Sequence, residues 1–362
     1  MAMKVTFVLP MYLTSPSGGF KVVYEYANRL AALGHQIAIV HPRNIEHQPG
    51  IVEAIKKRLW RFKHRLMHRQ LVPWFPVDAK VTLSLVTDLS ERNIPEADVI
   101  FATACETAFP VAVYSAGKGK KFYLIQSYES WNQPEKVVQA SWKLPLHKVV
   151  ISRQLLEIAS GIGERQRTTY IPNGIDFADF KLLTPIAGRK LRIGMLAHPN
   201  EAKGTKDGLQ ALELVKQKYP ELQAVLFGTE PRLECIPDWV SYERQPAKAK
   251  LIDLYNSCRI FLNPSWTEGW GLTSAEAMAC GCALVTADNG GANEFCVAGE
   301  SGLIVPIKSP ELLASNILKL VEDDELRKQI ASAGYQTIQQ FTWELAVDSL
   351  INVMSVSLNG AI

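Results

Sequence analysis

Two glutamates separated by seven residues, Glu268 and Glu276, have the residue types and spacing most suited to chemistry in this sequence. A carboxylate accepts hydrogen bonds from hydroxyl groups but repels phosphate, so both side chains suit the hydroxyl-rich parts of a ligand. Between them, Gly269 and Gly271 keep the loop bare, which lets an anion approach the backbone N–H groups at the start of a helix. The spacing therefore indicates a ligand with phosphate in the middle and polyols on both sides.

A strand, a loop, a short helix and a second strand must position these residues. Apolar runs at 259–262 and 283–286 flank the segment and are typical of buried parallel strands. Thr273 and Glu276 have the spacing of a capping box, in which Thr273 accepts from the first free N–H groups and Glu276 reaches back. The helix is therefore predicted to begin near Thr273, with the positive end of its dipole toward the anion. A nucleotide sugar has the matching order of ribose, diphosphate and sugar.

Simpler interpretations of the same residues stay open. Glu276 can be a capping residue alone, and Glu268 can be a solvated loop acid. The segment 269–274 also reads G-x-G-x-x-S after a strand, with Asp288 further on, like a dinucleotide-binding fingerprint. Its third glycine is missing and the unit lies far from the N-terminus, so a nicotinamide dehydrogenase is the least favoured interpretation.

The longer pattern resembles a known family. Glu268 and Glu276, followed by Ala-Met-Ala-Cys-Gly at 277–281, resemble the E-x7-E signature of the retaining, family 4 glycosyltransferases of the GT-B type. Residues 288–294 resemble that family's G-G-x-x-E turn, and residues 302–306 its next strand. The resemblance implies an α/β fold with two Rossmann-like domains whose parallel sheets face across a cleft. It also implies a C-terminal helix that crosses back to the first domain.

Chain length also favours two domains, because 362 residues exceed what one hydrophobic core usually holds. Residues 171–188 begin with Ile-Pro-Asn-Gly and have the composition of a hinge or linker. We therefore expect an N-terminal Rossmann-like, acceptor-side domain at 1–170, joined by the C-terminal helix at 343–362. The C-terminal Rossmann-like, nucleotide-sugar-binding domain is expected at 189–342.

The resemblance implies roles for residues of the second domain. It places Glu276 at the ribose hydroxyls, Glu268 at the hydroxyls of the donor sugar and Lys203 at the diphosphate. Arg244 is expected to stack on or cap the nucleotide base. The backbone at the start of the predicted helix is expected to bind the diphosphate, through Gly271, Leu272, Thr273 and Ser274.

Two positions depart from the family pattern. Met195 stands where relatives have an arginine that clamps the diphosphate, and Arg192, His198 or Lys206 are candidates to compensate. In the first domain, Gln126 replaces a histidine that reaches the donor sugar in many relatives. Gln126 stays an expected catalytic position beside Glu268 and Lys203, because an amide can hydrogen-bond a sugar hydroxyl or a backbone group. It cannot shuttle a proton.

Two further segments of the first domain are candidates for binding. Gly18 and Gly19 are predicted at a helix N-terminus, where bare backbone can approach a phosphate or a substrate hydroxyl; a flexible turn is the alternative. Residues 51–75 combine an apolar stripe with many lysines and arginines, which predicts a basic amphipathic helix for an anionic membrane surface or acceptor. The alternative is a helix packed on its own domain with a solvated basic face.

Composition excludes several classes of protein. A net charge of +3 is too small to argue for nucleic acid. The six cysteines show no metal-ligand spacing, and neither a signal peptide nor a membrane-spanning run is evident. We therefore expect a reduced, cytoplasmic protein whose contact with the inner face of the membrane, through residues 51–75, is peripheral. No metal or other cofactor is expected.

The resemblance and the residues together predict a retaining, metal-independent hexosyltransferase of polysaccharide or glycoconjugate biosynthesis. A UDP-sugar is the expected donor, from family frequency, and a hydroxyl of a glycan or lipid-linked acceptor is the expected nucleophile. Two alternatives stay open: a nucleotide-sugar-binding protein without transferase turnover, and a nucleotide-sugar 2-epimerase, which needs no acceptor.

Overall fold

The computed structural model describes residues 2–43, 71–131 and 133–360. Most of the basic segment predicted at 51–75 lies outside the described residues, because they resume at 71. The chain separates into two compact units. Met1–Ile171 and Glu344–Ile362 form the first unit, and Pro172–Trp343 form the second.

The first unit contains one seven-stranded sheet whose strands are all parallel, in the order β3-β2-β1-β4-β5-β6-β7. Its strands are β1 Lys4–Val8, β2 Gln36–Pro42, β3 Thr82–Val86, β4 Val99–Ala102, β5 Lys120–Ile125, β6 His147–Val150 and β7 Thr168–Tyr170. Its helices are α1 Gly18–Ala32, α2 Cys105–Val113, α3 Glu135–Trp142 and α4 Arg153–Gly161.

Continuous apolar runs form the central strands of this sheet because helices cover both faces. Phe7, Phe101 and Phe122 come from the adjacent strands β1, β4 and β5. Their ring centroids are 5.0 Å apart in each neighbouring pair. The aromatic row fixes the register of the central strands, and the loops that follow them emerge at one edge.

The second unit repeats this plan with a six-stranded parallel sheet in the order β10-β9-β8-β11-β12-β13. Its strands are β8 Arg192–Leu196, β9 Gln223–Gly228, β10 Val240–Arg244, β11 Ile260–Asn263, β12 Ala283–Ala287 and β13 Leu303–Val305. Its helices are α5 Thr205–Lys218, α6 Lys248–Ser257, α7 Leu272–Ala279, α8 Pro310–Glu322 and α9 Asp324–Ile338. A last helix, α10 Trp343–Leu358, begins in the second unit and continues into residues of the first.

Both sheets are doubly wound around their first strand. In the second unit the chain runs outward from β8 through β9 to β10, then returns to the other side of β8 with β11. Ligands of open parallel sheets bind at the carboxyl edge where the strand order reverses. The loops after β8 and β11 flank that reversal, and they carry the predicted lysine and glutamates.

Arg189 ties the segment before β8 to the helix that carries the glutamates. Its buried guanidinium donates to the carbonyl of Cys280 at the end of α7, at 2.6 Å, and to that of Cys258 after α6, at 2.8 Å. A further bond of 2.6 Å goes to the Thr184 carbonyl. Carbonyls at helix ends lack intrahelical donors, so a cation there satisfies them and complements the helix dipole. Arg189 therefore fixes the C-terminal end of α7.

Candidate functional site

Three loops meet at the carboxyl edge of the second sheet: the β8 loop (197–204), the β11 loop (264–271) and the β12 loop (288–291). The backbone N–H of Trp266 donates to the Ala202 carbonyl at 2.8 Å, which joins the β11 loop to the β8 loop. On its other side, the N–H of Glu268 donates to the Asn289 carbonyl at 2.9 Å. The β11 loop is therefore bonded to a neighbour on each side.

Glycines allow this close approach. Gly204 has a left-handed backbone, with φ 62°, and caps the start of α5. A Cβ atom at this position would lie 2.7 Å from the carbonyl carbon of Pro264 and closer still to its oxygen. A Cβ atom on Gly291 would lie 2.8 Å from the Trp270 backbone and 2.9 Å from Cβ of Glu268. Since any side chain would collide there, glycine is required where the β11 loop meets each neighbour.

Trp266 anchors the middle of the β11 loop. Its indole Nε1 donates to the Asp207 carboxylate at 2.7 Å, and the Lys308 ammonium lies 4.0 Å from the ring centroid. Both contacts orient the ring, because one fixes its edge and the other its face. None of these three residues was singled out from the sequence, where Trp266 and Asp207 are 59 positions apart.

Helix α7 presents free backbone donors at its start. Gly271 is the N-cap, with a left-handed backbone of φ 90° and ψ 53°. Its carbonyl accepts the N–H of Ser274 at 3.0 Å. Among the described residues, the N–H groups of Leu272 and Thr273 have no acceptor. Of the four residues predicted to bind the diphosphate, Leu272 and Thr273 therefore offer N–H groups to an anion, whereas the N–H of Ser274 is used within the first turn.

The predicted capping box is wrong. The helix begins at Leu272 with Gly271 as its cap, so Thr273 lies inside the first turn and makes no capping bond. Glu276 is 4% exposed, and its Oε2 accepts the hydroxyl of Tyr255 on α6 at 3.0 Å. Burial and the neighbouring Glu276 carboxylate raise the pKa of Tyr255 well above its ordinary value, so the phenol stays a donor. Tyr255 thus fixes the orientation of the carboxylate predicted for the ribose.

Lys203 and Glu268 contact each other directly. The ammonium Nζ of Lys203 lies 2.9 Å from each carboxylate oxygen of Glu268, with the lysine side chain 30% exposed and the glutamate 14%. Lys203 ends a short 3₁₀ turn in the β8 loop, and Glu268 lies in the β11 loop. The structure therefore brings together the residues predicted for the diphosphate and for the donor sugar.

Asn263, the last residue of β11, links that strand to helix α7. Its amide Nδ2 donates to the Ser274 hydroxyl at 2.8 Å, and its Oδ1 accepts the N–H of Ser265 at 3.1 Å. Asn263 and Ser274 are both buried. The hydroxyl of Ser274 therefore positions the helix start, and the sequence analysis did not assign a role to Asn263.

The candidates to replace the family arginine differ in their position in the second unit. Met195 is fully buried in the apolar core of the second unit, against Gly208 of α5. Arg192 lies at the amino end of β8 and donates to the Ser257 hydroxyl at 3.3 Å, so it is at the wrong edge of the sheet to compensate. Lys206 is exposed in the first turn of α5 and stays a prediction.

His198 is a compensating candidate whose ring is affected by the charges of Lys203 and Glu268. Its Nδ1 accepts the backbone N–H of Asn200 at 3.0 Å, so in the neutral ring the proton is on Nε2. Burial, and next the positive charge of Lys203, lower the pKa of His198. His198 is therefore a neutral hydrogen-bond donor beside the lysine at neutral pH.

Arg244 lies exposed at the end of β10, on the same edge of the sheet. Its Nε donates to the carbonyl of Thr229 at 3.4 Å, and Nε2 of Gln245 donates to the same oxygen at 3.0 Å. These bonds attach the end of β10 to the turn after β9. The predicted contact of Arg244 with a base stays a prediction.

The remaining predicted residues belong to the first unit. Helix α1 begins at Gly18, with Ser17 as its N-cap, so the glycine pair lies at a helix N-terminus as predicted. The amide Nε2 of Gln126, just after β5, donates to the Gly19 carbonyl at 2.9 Å. Gln126 therefore binds a backbone group, one of the two partners expected for it.

Glu129, in the loop after β5, was not singled out from the sequence. Its Oε2 accepts the backbone N–H of Cys105 at the start of α2, at 2.7 Å. Burial raises the pKa of Glu129 to about 7, against the lowering effect of the Cys105 bond. This carboxyl therefore titrates near neutral pH.

Other features bear on the remaining expectations. Within residues 2–43, 71–131 and 133–360, no group of three or more His, Cys, Asp or Glu side chains is arranged to hold a metal ion. The helices described there include none long and apolar enough to cross a membrane. The six cysteines are free thiols, and all but Cys235 are buried.

Comparison with solved structures defines the class of fold. A crystal structure of Anabaena Alr3699/HepE in complex with UDP-glucose superposes with a TM-score of 0.73, at 18% identity, covering 98% of this chain and 99% of that one. S. aureus TarM superposes with a TM-score of 0.72 at 10% identity, covering 97% and 99% of the two chains. The chain therefore has the GT-B fold, as predicted: two α/β units, each built on a parallel sheet.

Sequence comparison points to glycosyl transfer. Residues 183–337, nearly all of the second unit, match the family model "Glycosyl transferases group 1". The O-antigen chain mannosyltransferase B of Escherichia coli is 27% identical over 173 residues, which is 46% of this chain and 45% of that protein. The phosphatidyl-myo-inositol mannosyltransferase of Mycolicibacterium smegmatis is 24% identical over 379 residues, covering 97% and 93%.

Coverage differs among the curated relatives. The chain spans 45% of the length of the Escherichia coli protein and 28% of a D-inositol 3-phosphate glycosyltransferase of Streptomyces bingchenggensis. The matched segment contains Lys203, Glu268 and Glu276. The matches support a glycosyltransferase, with the similarity concentrated in the unit that carries these residues.

Proposed function

We propose that this protein is a retaining glycosyltransferase that moves a hexose from a nucleotide-sugar donor to a hydroxyl of a glycan or lipid-linked acceptor. The observation that carries the proposal is the meeting of three features at the carboxyl edge of the second sheet. They are the Lys203 ammonium, the Glu268 carboxylate and the free N–H groups at the start of α7. A diphosphate can bind the ammonium and the N–H groups, and hydroxyl-bearing groups beside it can donate to the carboxylate.

The donor diphosphate is bound by Lys203 and by the N–H groups of Leu272 and Thr273. Breaking the bond between the sugar and the diphosphate leaves negative charge on the departing phosphate oxygens. A lysine and a helix N-terminus stabilise that charge, and each well-placed donor supplies roughly 3–4 kcal/mol to the transition state. His198, with its proton on Nε2, adds a neutral donor at the same edge.

The two glutamates bind the hydroxyls on either side. Glu276 is held by Tyr255, and an ionised carboxylate accepts several hydrogen bonds at once, so ribose hydroxyls can add to that bond. Glu268 turns to the hydroxyls of the donor sugar. Arg244 contacts the base from the end of β10.

The finer terms of the proposal draw on the resemblance and the relatives. Two relatives are mannosyltransferases by name, and one structural neighbour is a complex with UDP-glucose, so a hexose is the proposed group. UDP is the proposed nucleotide, and front-face attack with retention is the proposed stereochemistry. The mechanism uses Lys203 and the helix dipole as its positive charges and assigns no step to a metal.

A thermal-shift panel of UDP, GDP, ADP and dTDP sugars, run with and without EDTA, tests this function. A ligand that binds only the folded state at 100 times its Kd adds about 2.7 kcal/mol of stability. For a domain of this size that raises Tm by several degrees, at roughly 2–4 °C per kcal/mol. We expect one nucleotide class to raise Tm equally in both buffers.

Two lysine variants make the panel specific. Lys203→Ala should abolish most of the shift, because it removes the cation from the diphosphate. Lys190→Ala, which removes an exposed lysine just before the amino end of β8, is the matched control and should keep the shift. A panel in which no nucleotide sugar raises Tm, or in which Lys203→Ala responds like the unmodified protein, would contradict the proposal.

A further inference from the structure

The ion pair between Lys203 and Glu268 joins two residues that the proposed function assigns to different parts of the donor. Both carboxylate oxygens lie 2.9 Å from the ammonium, so the carboxylate binds Lys203 with both of its oxygens. A phosphate oxygen bound to Lys203 would also have to lie within hydrogen-bond distance of this ammonium, where the carboxylate oxygens now lie. Glu268 therefore occupies the place of an anionic ligand.

The backbone holds the pair in this arrangement. Lys203 is followed by Gly204, whose left-handed backbone packs against Pro264. Glu268 is held by the bond from its own N–H to the Asn289 carbonyl. Because backbone contacts hold both loops, the contact is part of the site's architecture rather than a chance meeting of two flexible surface chains.

Separating the pair has a cost that depends on the ligand. If a diphosphate takes Lys203, the Glu268 carboxylate, which is only 14% exposed in the pair, loses its cation. A largely buried carboxylate without a partner is unfavourable, because it has lost water and gained no donor. Sugar hydroxyls attached to the diphosphate are donors, and they can replace the lost bonds. A bare nucleoside diphosphate lacks the donor sugar, and its ribose is assigned to Glu276, so it cannot replace the bonds that Glu268 loses.

We propose that Glu268 competes with the nucleotide's diphosphate for Lys203, and that the sugar of the donor releases it. The pair is then a specificity device that favours a nucleotide sugar over the bare nucleoside diphosphate. After transfer, the nucleoside diphosphate has lost the sugar that satisfied Glu268. The carboxylate returns to Lys203 and speeds release of this product. The inference rests on the proposed function and concerns the same site.

Isothermal titration of the full-length chain with matched ligand pairs tests this. The pairs are UDP with UDP-glucose, GDP with GDP-mannose, ADP with ADP-glucose and dTDP with dTDP-glucose. Glu268→Gln removes the competing charge at constant size. For the nucleotide that binds, we expect the bare diphosphate to bind this variant on the order of tenfold tighter than the unmodified protein, since hydrogen bonds to charged groups are worth that much.

Two further variants test whether the effect depends on a charge at this position and on its reach to Lys203. Glu201→Gln removes one negative charge from an exposed side chain in the same 3₁₀ turn as Lys203, and should leave affinity for the bare diphosphate unchanged. Glu268→Asp keeps the charge but shortens the reach to Lys203. It should give an intermediate affinity for the bare diphosphate.

The outcomes distinguish this inference from the function on which it rests. Equal or weaker binding of the bare diphosphate to Glu268→Gln, or equal gains in Glu201→Gln, would overturn the competition while leaving a nucleotide-sugar site in place. Failure of every pair to bind the unmodified protein would overturn the proposed function, and the inference with it.

Discussion

Replacement of Gly204 by alanine should separate the two loops that hold Lys203 and Glu268. Gly204 has φ 62°, and an added Cβ atom would lie 2.7 Å from the carbonyl carbon of Pro264. Backbone atoms form the obstacle, so no side chain can rotate away to make room. The β8 loop must therefore move off the β11 loop, which stretches the bond from Trp266 to Ala202.

The expected loss of stability has two parts. A left-handed conformation costs a non-glycine residue roughly 1–2 kcal/mol. Forcing a methyl group into a packed contact adds about 1–3 kcal/mol. Gly188→Ala measures the first part alone, because Gly188 has φ 79° and an added Cβ atom there meets no atom within 4 Å. Gly204→Ala should therefore destabilise the second unit by about 1–3 kcal/mol more than Gly188→Ala.

Hydrogen–deuterium exchange on the full-length protein is the assay. Peptides covering α5 and α7 should exchange faster in Gly204→Ala, and urea unfolding of the second unit should shift to lower concentration. Nucleotide-sugar affinity should fall as well. If Gly204→Ala loses no more protection than Gly188→Ala in these peptides, the close packing of the two loops does not stabilise the site as argued.

Three further predictions concern buried polar groups. Arg189→Met leaves buried carbonyls at the ends of two helices without their donor and should cost about 1–3 kcal/mol for each such carbonyl in urea unfolding; a total loss below 1 kcal/mol would contradict it. Tyr255→Phe leaves Glu276 without its phenol donor and should lower the free energy of unfolding by about 1–3 kcal/mol. It should also weaken nucleotide binding, as measured by isothermal titration. Unchanged affinity would oppose the ribose role. Glu129 has a folded pKa of about 7 against an ordinary value of 4.5, so its contribution to stability is full below pH 4.5 and is lost as the pH rises through 7. Glu129→Gln, whose amide oxygen can still accept from Cys105, should remove that loss, on the order of 3 kcal/mol, from a pH series of unfolding measurements, and an unchanged pH profile would contradict the raised pKa.

The fold was predictable because parallel strands that are covered on both faces have continuous apolar sequences. Ile260–Asn263 and Ala283–Ala287 are buried throughout, and the sequence predicted both to within one residue at either end. The strand at Thr82–Val86 was not predicted. It lies at an edge of its sheet with no buried residue, and so lacks the signal of a central strand.

The chemistry of the site was partly predictable and its contacts were not. Residue type and spacing selected Lys203, Glu268 and Glu276, but the ion pair of Lys203 with Glu268 spans 65 positions and the bond of Glu276 with Tyr255 spans 21. Partners at such separations meet only through the order of strands in the sheet. Local sequence carries no record of that order.

The capping box shows how a local pattern fails. Thr273 and Glu276 have the required spacing, yet Gly271 adopts the left-handed conformation and starts the helix two residues earlier. The Glu276 carboxylate accepts a hydrogen bond from the Tyr255 phenol on α6, a partner that the local pattern did not indicate. The position of Met195 was also not evident from the sequence pattern. It aligns with a diphosphate-binding arginine of the family, yet its side chain is fully buried in the core.

A crystal structure of the full-length protein with the nucleotide sugar that gives the largest thermal shift tests the central claim most directly. The account predicts the diphosphate within hydrogen-bond distance, about 2.7–3.2 Å, of Lys203 Nζ and of the Leu272 and Thr273 N–H groups. It also predicts Glu268 turned from the lysine to the sugar. A diphosphate bound elsewhere, with Lys203 and Glu268 still paired, would contradict it.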